Sequence, residues 1–341
     1  MKNAPELRLL FWESTSGCNL SCVHCRRLKV AGQANSAEEL STVSMQAVLE
    51  SAARLGKPVI VFSGGEPLLR SDWPILATHA KSLGLPTALA TNGTMIDAAL
   101  ASKIADANFR RVSVSLDGAD AVTHDPFRGV TGAFERAMSG IAAMRHAGVP
   151  VQINAGITAH NFSQLDQLYE LCKTVGAAAL HLFLLVPVGC GVQIEKTHQL
   201  SPAQYEQVLN WVCDRQSTAS IEVRATCAPH YYRIASQRNL TLRRVSRGCL
   251  AGTGVVFVSS DGDVFPCGYF PVPCGSVLRQ SLEEIWKTSS VLEALRDPSR
   301  LTGKCGLCEF KVICGGCRAR AYAHSGDFLS AEPACNYQPR K

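Results

Sequence analysis

The sequence lacks any long hydrophobic run. Its longest apolar stretch, residues 177–188, contains His181 and Pro187 and falls short of the ~20 residues that a membrane-spanning helix needs. No basic start or small-residue cleavage site marks a signal peptide, and Glu6 and Glu13 flank the first apolar run. The chain is therefore expected in the cytoplasm, without a membrane span. Internal repeats and low-complexity segments are absent. A strong excess of one charge is also missing: 34 Lys+Arg face 28 Asp+Glu, a net charge of +6. That balance suits an anionic small molecule or an acidic protein partner and does not argue for nucleic acid. What the chain has in quantity is apolar residues, 46% of its 341 positions, enough for a sizeable core.

It also has 15 cysteines. The cytosol keeps thiols reduced, so an odd count with tight Cys-x-x-Cys spacings points to metal rather than to disulfides.

Short apolar runs at residues 8–12, 59–62, 87–90, 112–116, 151–155 and 180–186 read as strands. Several are apolar throughout, as strands covered on both faces should be. Helical patterns at 44–55, 73–83, 97–107, 133–147 and 162–175 lie between them. This alternation predicts an α/β fold with a parallel sheet and right-handed crossovers. Six units are too few for an eight-fold barrel, so a partial, TIM-like (β/α)6 barrel over residues 1–190 is expected, with its working groups at the strands' C-terminal ends. Residues 191–248 read as a bridging region. Ser201, Pro202 and Gln204 form a helix start, the helix runs to about Cys213, and residues 221–247 look basic and irregular. Residues 249–341 form a cysteine- and glycine-rich domain in which metal is expected to replace much of the apolar core.

Cys18-x3-Cys22-x2-Cys25 follows the first strand directly. Three thiolates can hold three irons of a cubane and leave the fourth iron open. By spacing alone, a zinc site short of one ligand or a loop of free cysteines fits as well. Ser63-Gly64-Gly65-Glu66-Pro67 ends the second strand. Its glycines let another group approach the backbone closely, and Glu66 can accept hydrogen bonds from an ammonium group.

Over residues 8–190 these motifs resemble the radical S-adenosylmethionine (SAM) superfamily. The resemblance implies a [4Fe–4S] cluster on Cys18, Cys22 and Cys25 that cleaves SAM to a 5′-deoxyadenosyl radical. It implies SAM contacts from Gly64, Gly65, Glu66 and Pro67, with Asn92, Ser115, Asp117, Asn154 and Val186 as further contacts near strand ends. Each of these polar residues is equally at home in an ordinary turn.

Cys305-x2-Cys308-x5-Cys314-x2-Cys317, followed by Cys335, is a strong metal pattern, for which zinc is the alternative occupant. Upstream lie Cys249 and Gly262-x4-Cys267. This resembles the SPASM (twitch-like) domain, which implies one auxiliary cluster on Cys305, Cys308, Cys314 and Cys335 and a second on Cys249, Cys267 and Cys317. Cys317 departs from the usual spacing, and Cys274 and Cys227 are the candidates for a fourth ligand of the second. Cys172, Cys190 and Cys213 sit in apolar or helical settings and read as buried small hydrophobes.

Longer strings narrow the likeness. They include Cys22–Arg26, His124-Asp125-Pro126-Phe127-Arg128-Gly129, residues 183–189, residues 226–234 and residues 315–322. Together they resemble the alternative, siroheme-dependent haem biosynthesis group, in particular the haem b synthases. The resemblance implies oxidative decarboxylation of two propionates of Fe-coproporphyrin III to vinyls, with an auxiliary cluster as electron acceptor and a flavodoxin or ferredoxin as donor. Propionates call for arginine, and Arg128, Arg233, Arg243, Arg244, Arg247, Arg318 and Arg320 are available. His230 is a candidate iron ligand, and Tyr231 and Tyr232 are candidate stacking partners for the macrocycle. Rival readings are a haem d1 or didecarboxysiroheme enzyme, a SPASM peptide maturase and a non-catalytic iron–sulfur electron carrier. Gly64–Pro67 speaks against the carrier, which needs no amino-acid site.

Overall fold

The computed structural model describes residues 4–27, 39–240 and 248–340. Its first half alternates strand and helix. The order is β1 (Leu9–Glu13), α1 (Thr42–Ala53), β2 (Val59–Ser63), α2 (Trp73–Ser82), β3 (Thr87–Thr91), α3 (Ala98–Asp106) and β4 (Arg111–Ser115). Two helices, α4 (Ala121–Arg128) and α5 (Ala133–His146), precede β5 (Val151–Ile157), α6 (Leu165–Thr174) and β6 (Ala179–Leu184). Then come α7 (Gly191–His198), α8 (Pro202–Thr218), β7 (Glu222–Thr226) and α9 (His230–Gln237). The C-terminal part contains β8 (Val255–Val258), β9 (Asp263–Phe265), β10 (Gly275–Ser276), α10 (Leu282–Thr288), α11 (Ser290–Arg296), α12 (Gly303–Leu307) and α13 (Arg318–Ser325).

One sheet runs through the molecule in the order β10-β9-β8-β1-β2-β3-β4-β5-β6-β7. β8 and β1 to β7 are mutually parallel, and β9 and β10 return antiparallel. Parallel pairing brings the strand C-termini to one edge, where loops of different strands meet. The core is built by strand residues Leu10, Trp12, Ile60, Phe62, Leu89, Val112, Val114, Ile153, Leu180 and Leu182, packed under apolar helix faces. On α6 that face is Leu165, Leu168, Tyr169 and Cys172, spaced as one helical stripe. Each fully buried aliphatic side chain of this kind contributes about 1.5–3 kcal/mol. Cys172 and Cys213 are core residues, as their settings suggested.

Three sequence expectations need correcting. Residues 221–247 are not irregular throughout: β7 and α9 lie there, and Arg243, Arg244 and Arg247 fall outside the described residues. β7 carries charge because Glu222 pairs with Arg111, His181 and Arg224, so the apolar signal of a strand is reduced to Val223 and Ala225. Helix α8 continues past Cys213 to Thr218; its start has the capping box expected from Ser201 and Gln204. Helix α4 was hidden by Pro126 in its interior, a residue that usually breaks helices. A fourth finding concerns the cysteine-rich region. Its strand β8 hydrogen-bonds β1 in parallel, Leu10 opposite Val256 and Trp12 opposite Val258, so it continues the barrel sheet.

Candidate active site

The loop after β1 carries Cys18, Cys22 and Cys25, and three other strand-end segments grip it. From the β2 loop, Gly65 N–H donates to Thr15 O (2.9 Å) and Glu66 N–H to Gly17 O (2.8 Å). A Cβ on Gly65 would collide with the Gly17 carbonyl. The group that this glycine admits is therefore the backbone of the cysteine loop itself. From α4, the carbonyls of Arg128 and Phe127 accept the N–H groups of Ser21 and Val23, at 3.2 and 3.1 Å. Gly129, in the left-handed region at φ 71°, closes α4 and lies against Ser21. From the β6 loop, Cys190 N–H donates to Cys25 O (2.8 Å) and its thiol to Arg27 O (3.0 Å). Cys190 thus braces the loop and is only partly buried, unlike the core thiol expected.

Glu66 is fully buried, with Asn92 N–H (2.8 Å), Thr91 Oγ1 (2.7 Å) and Leu68 N–H (3.2 Å) donating to its carboxylate. Burial outweighs these bonds and pushes its pKa up to about 7. A carboxylate in this condition gains from a cation beside it. The ammonium of an amino-acid ligand is such a group, and Glu66 lies close enough to Cys18 to raise that thiol further after burial has done so. The residues therefore fit a SAM site next to an iron held by the loop.

Asp117 is equally buried but is already committed. Its Oδ2 pairs with Arg128 at 2.7 Å and faces His24 at 3.5 Å; its Oδ1 accepts Gly156 N–H at 2.6 Å. Burial would raise its pKa, but Arg128 first, then His24 and His124, hold it below the usual carboxylate range. Arg128 also reaches Cys22 Sγ at 3.6 Å, and burial pushes that thiol up to about 11 against the pull of the guanidinium. The His124–Gly129 string is thus scaffolding for the cysteine loop. His124 Nδ1 accepts Asp117 N–H, Asp125 caps Gly132 and Phe134, and Phe127 stacks on His24 at 4.1 Å. Ser115 and Asn154 lie opposite each other on β4 and β5, and the Asn154 amide oxygen accepts from Gln152. Val186 is buried against Phe270 and Cys317.

The side chains offered for substrate turn inward and meet partners within the protein. Arg128 serves Asp117 and Cys22. Arg233 is held by Glu206 through two bonds (2.9 and 2.6 Å). Arg318 donates to Phe328 O and Ser330 O and reaches Cys305 Sγ at 3.8 Å. Arg320, fully buried, donates to Leu184 O, Leu185 O and Cys227 O and pairs with Glu332 at 3.1 Å. Tyr231 is buried with its hydroxyl on Gln216, its ring edge-on to Tyr232, and His230 is buried as well. The sequence types were right for carboxylates, but the carboxylates and carbonyls they meet are the protein's own.

The C-terminal thiols gather into two groups. Cys305, Cys308, Cys314 and Cys335 line one cavity, together with His230, Arg233 and Glu332. Cys227 lies within electrostatic reach of Cys317, Cys267 and Cys249, which adds to burial in raising its pKa well above a free thiol's. Cys227 occupies the left-handed region at φ 58°, a costly position for a residue with a Cβ and one that clusters at functional sites. Cys274 stands apart, its thiol 4.0 Å from Val272 O and near Ser289 and Arg296. Glu332, which the sequence reading missed, ties the groups together. Its N–H donates to Cys305 Sγ (3.3 Å), and its carboxylate accepts Cys317 N–H (2.7 Å). No spacing rule marks it, since its partners are far away in sequence.

A barrel mouth with a three-cysteine loop, a buried carboxylate beside it and a cysteine-rich extension defines the class. The family model of the radical SAM superfamily matches residues 12–173, and that of the SPASM iron–sulfur cluster-binding domain matches residues 249–309. Streptococcus suis SuiB, solved bound to S-adenosylmethionine, shares the fold with a TM-score of 0.77 at 19% identity, over 97% of this chain and 78% of that one. The AdoMet-dependent heme synthase of Methanosarcina barkeri is 46% identical over 352 residues, covering 100% of this chain and 99% of that protein. The pre-heme d1 synthase of Dinoroseobacter shibae is 32% identical over 96% of this chain and 85% of its own length. The chain belongs to the AdoMet-dependent heme synthase family of radical SAM enzymes.

Proposed function

We propose that this enzyme makes haem b from Fe-coproporphyrin III by oxidative decarboxylation of two propionates. The full-length likeness to an AdoMet-dependent heme synthase carries the reading, because it spans the barrel and the cysteine-rich region together. Cys18, Cys22 and Cys25 would hold a [4Fe–4S] cluster that, with SAM bound, would supply the 5′-deoxyadenosyl radical for hydrogen abstraction. Glu66 receives the SAM ammonium, and Gly64, Gly65 and Pro67 hold Glu66 against the cysteine loop. Asn92 supports Glu66 through its backbone N–H, and Arg128 donates to the Cys22 sulfur. Ser115, Asn154 and Val186 border the remainder of the SAM site, and Asp117 fixes Arg128. Four thiols, Cys305, Cys308, Cys314 and Cys335, hold one auxiliary cluster. Cys249, Cys267, Cys317 and Cys227 hold the other, with Cys274 left out.

On the substrate, a hydrogen atom leaves the β-carbon of a propionate. The carboxylate then departs as CO2 and one electron passes to an acceptor, the role proposed for an auxiliary cluster, which leaves a vinyl group; a second propionate follows. With Arg128, Arg233, Arg318 and Arg320 engaged internally, Arg243, Arg244 and Arg247 remain as candidates for the propionates. Electrons come from a flavodoxin- or ferredoxin-type donor in the cytoplasm. No helix among the described residues is long and apolar enough to cross a membrane.

The test is an anaerobic assay of the reconstituted protein with SAM, reductant and Fe-coproporphyrin III, read by mass spectrometry of the porphyrin. Stepwise loss of two carboxyl groups supports the reading. Deoxyadenosine without porphyrin change moves the substrate to a siroheme-derived tetrapyrrole or a peptide, and no deoxyadenosine at all leaves an electron carrier.

A further inference from the structure

His230 opens α9, three residues after Cys227, and is 2% exposed. Neither ring nitrogen has a hydrogen-bond partner. Leaving a buried donor unmade costs about 1–3 kcal/mol, so such a group calls for an acceptor. Among the described residues, none lies within reach. The Glu332 carboxylate oxygen nearest to Nε2 is 4.0 Å away and is already taken by Cys317 N–H and Arg320. Tyr205 offers only a ring, at 6.1 Å between centroids.

What His230 does face is the cavity walled by Cys305, Cys308, Cys314 and Cys335. Most other polar groups on that wall are engaged, Arg233 Nε being an exception. Lys304 donates to Cys335 O and Lys311 to Gly306 O (3.1 Å), and the two terminal nitrogens of Arg233 are taken by Glu206 and Gln237. The backbone already directs Glu332 N–H at Cys305 Sγ and Gly316 N–H at Cys314 Sγ. His230 would join Arg318, which already reaches Cys305 Sγ at 3.8 Å, as a second side-chain member of this ring of donors. An imidazole has at least one N–H to give.

We propose that His230 donates a hydrogen bond to a sulfur of the iron–sulfur cluster held by Cys305, Cys308, Cys314 and Cys335, and thereby raises its reduction potential. The proposal rests on the four-thiol assignment above. A hydrogen bond to sulfur favours the reduced, more negative cluster, and four thiols fill the iron positions without His230. It is a positioning and tuning residue, not a catalytic one.

The test uses the full-length reconstituted protein with histidine labelled by ¹⁵N, and electron–nuclear double resonance on the reduced auxiliary signals. A weak ¹⁵N coupling with an exchangeable proton is expected, lost in His230→Phe. Potentiometric titration of the same signal should show its reduced fraction at fixed potential falling about tenfold in His230→Phe, with partial recovery in His230→Gln, which keeps an N–H. Where His230→Phe loses iron, His230→Gln against His230→Leu decides on the same criterion. An auxiliary signal without histidine coupling, or equal midpoints in these variants, overturns the inference. A coupling of ligand strength overturns it too, in favour of direct ligation. Absence of any signal from the four-thiol site would instead overturn the cluster assignment beneath it.

Discussion

The loop after β1 carries its three cysteines within residues 18–25, whereas one C-terminal group draws its thiols from residues as far apart as 227 and 317. The loop is held from outside, by backbone hydrogen bonds from the β2 loop, α4 and the β6 loop. The C-terminal groups are held from within, by the buried Arg320–Glu332 pair that reaches β6, Cys227, Cys317 and Cys305 at once. Both regions place a buried guanidinium on a cysteine sulfur, Arg128 on Cys22 and Arg318 on Cys305. On the ligation proposed above, the first plan would leave one side of the iron open for a ligand, and the second would close it behind four thiols. An open position suits chemistry, and a closed one suits electron storage or structure.

The sharpest way to break this contrast is Cys22→Ala. Deoxyadenosine formation should vanish while C-terminal iron stays; normal cleavage would remove the loop from the chemistry. Glu332→Ala should come next. Breaking a buried ion pair costs about 3–5 kcal/mol, so denaturant unfolding should show that loss, and iron should fall at both C-terminal sites but not at the loop. Loss confined to one site would mean that Glu332 does not join them. Cys227→Ala should remove about four irons per chain, the content of one cubane, and Cys274→Ala none; iron analysis of the pair reads out the fourth ligand directly.

The smallest expected effect is the pH dependence of SAM binding. Glu66 has its pKa raised in the fold, to about 7, so its ionised form is penalised there. In the SAM-free protein this penalty grows as pH rises from the unfolded value towards 7 and is constant above it. The SAM ammonium offsets it, so binding should weaken by up to about tenfold per pH unit below 7. Glu66→Gln should bind weakly at every pH. Isothermal titration between pH 6 and 8 checks both; a pH-independent affinity in the unaltered protein would take Glu66 out of the ammonium site.

The same contrast explains what was legible in the sequence. Strands β1 to β6 could be read because each is a short apolar run, and the first cysteine motif because its spacing is local. β7 could not, since its charged residues pair across the sheet, and α4 was concealed by Pro126. The choice between Cys227 and Cys274 depends on where α9 and the β9–β10 turn come to lie. The arginines were identified by type, but their partners lie up to 136 positions away, as for Arg320 and Leu184. Spacing speaks for a loop and is silent about a cage.

The central claim is that the loop's open iron and SAM act on a porphyrin propionate. Fe-coproporphyrin III deuterated at the propionate β-carbons, incubated anaerobically with SAM and reductant, tests it most directly. The account predicts deuterium in the 5′-deoxyadenosine, in step with vinyl formation. Unlabelled deoxyadenosine alongside an unchanged porphyrin would contradict it.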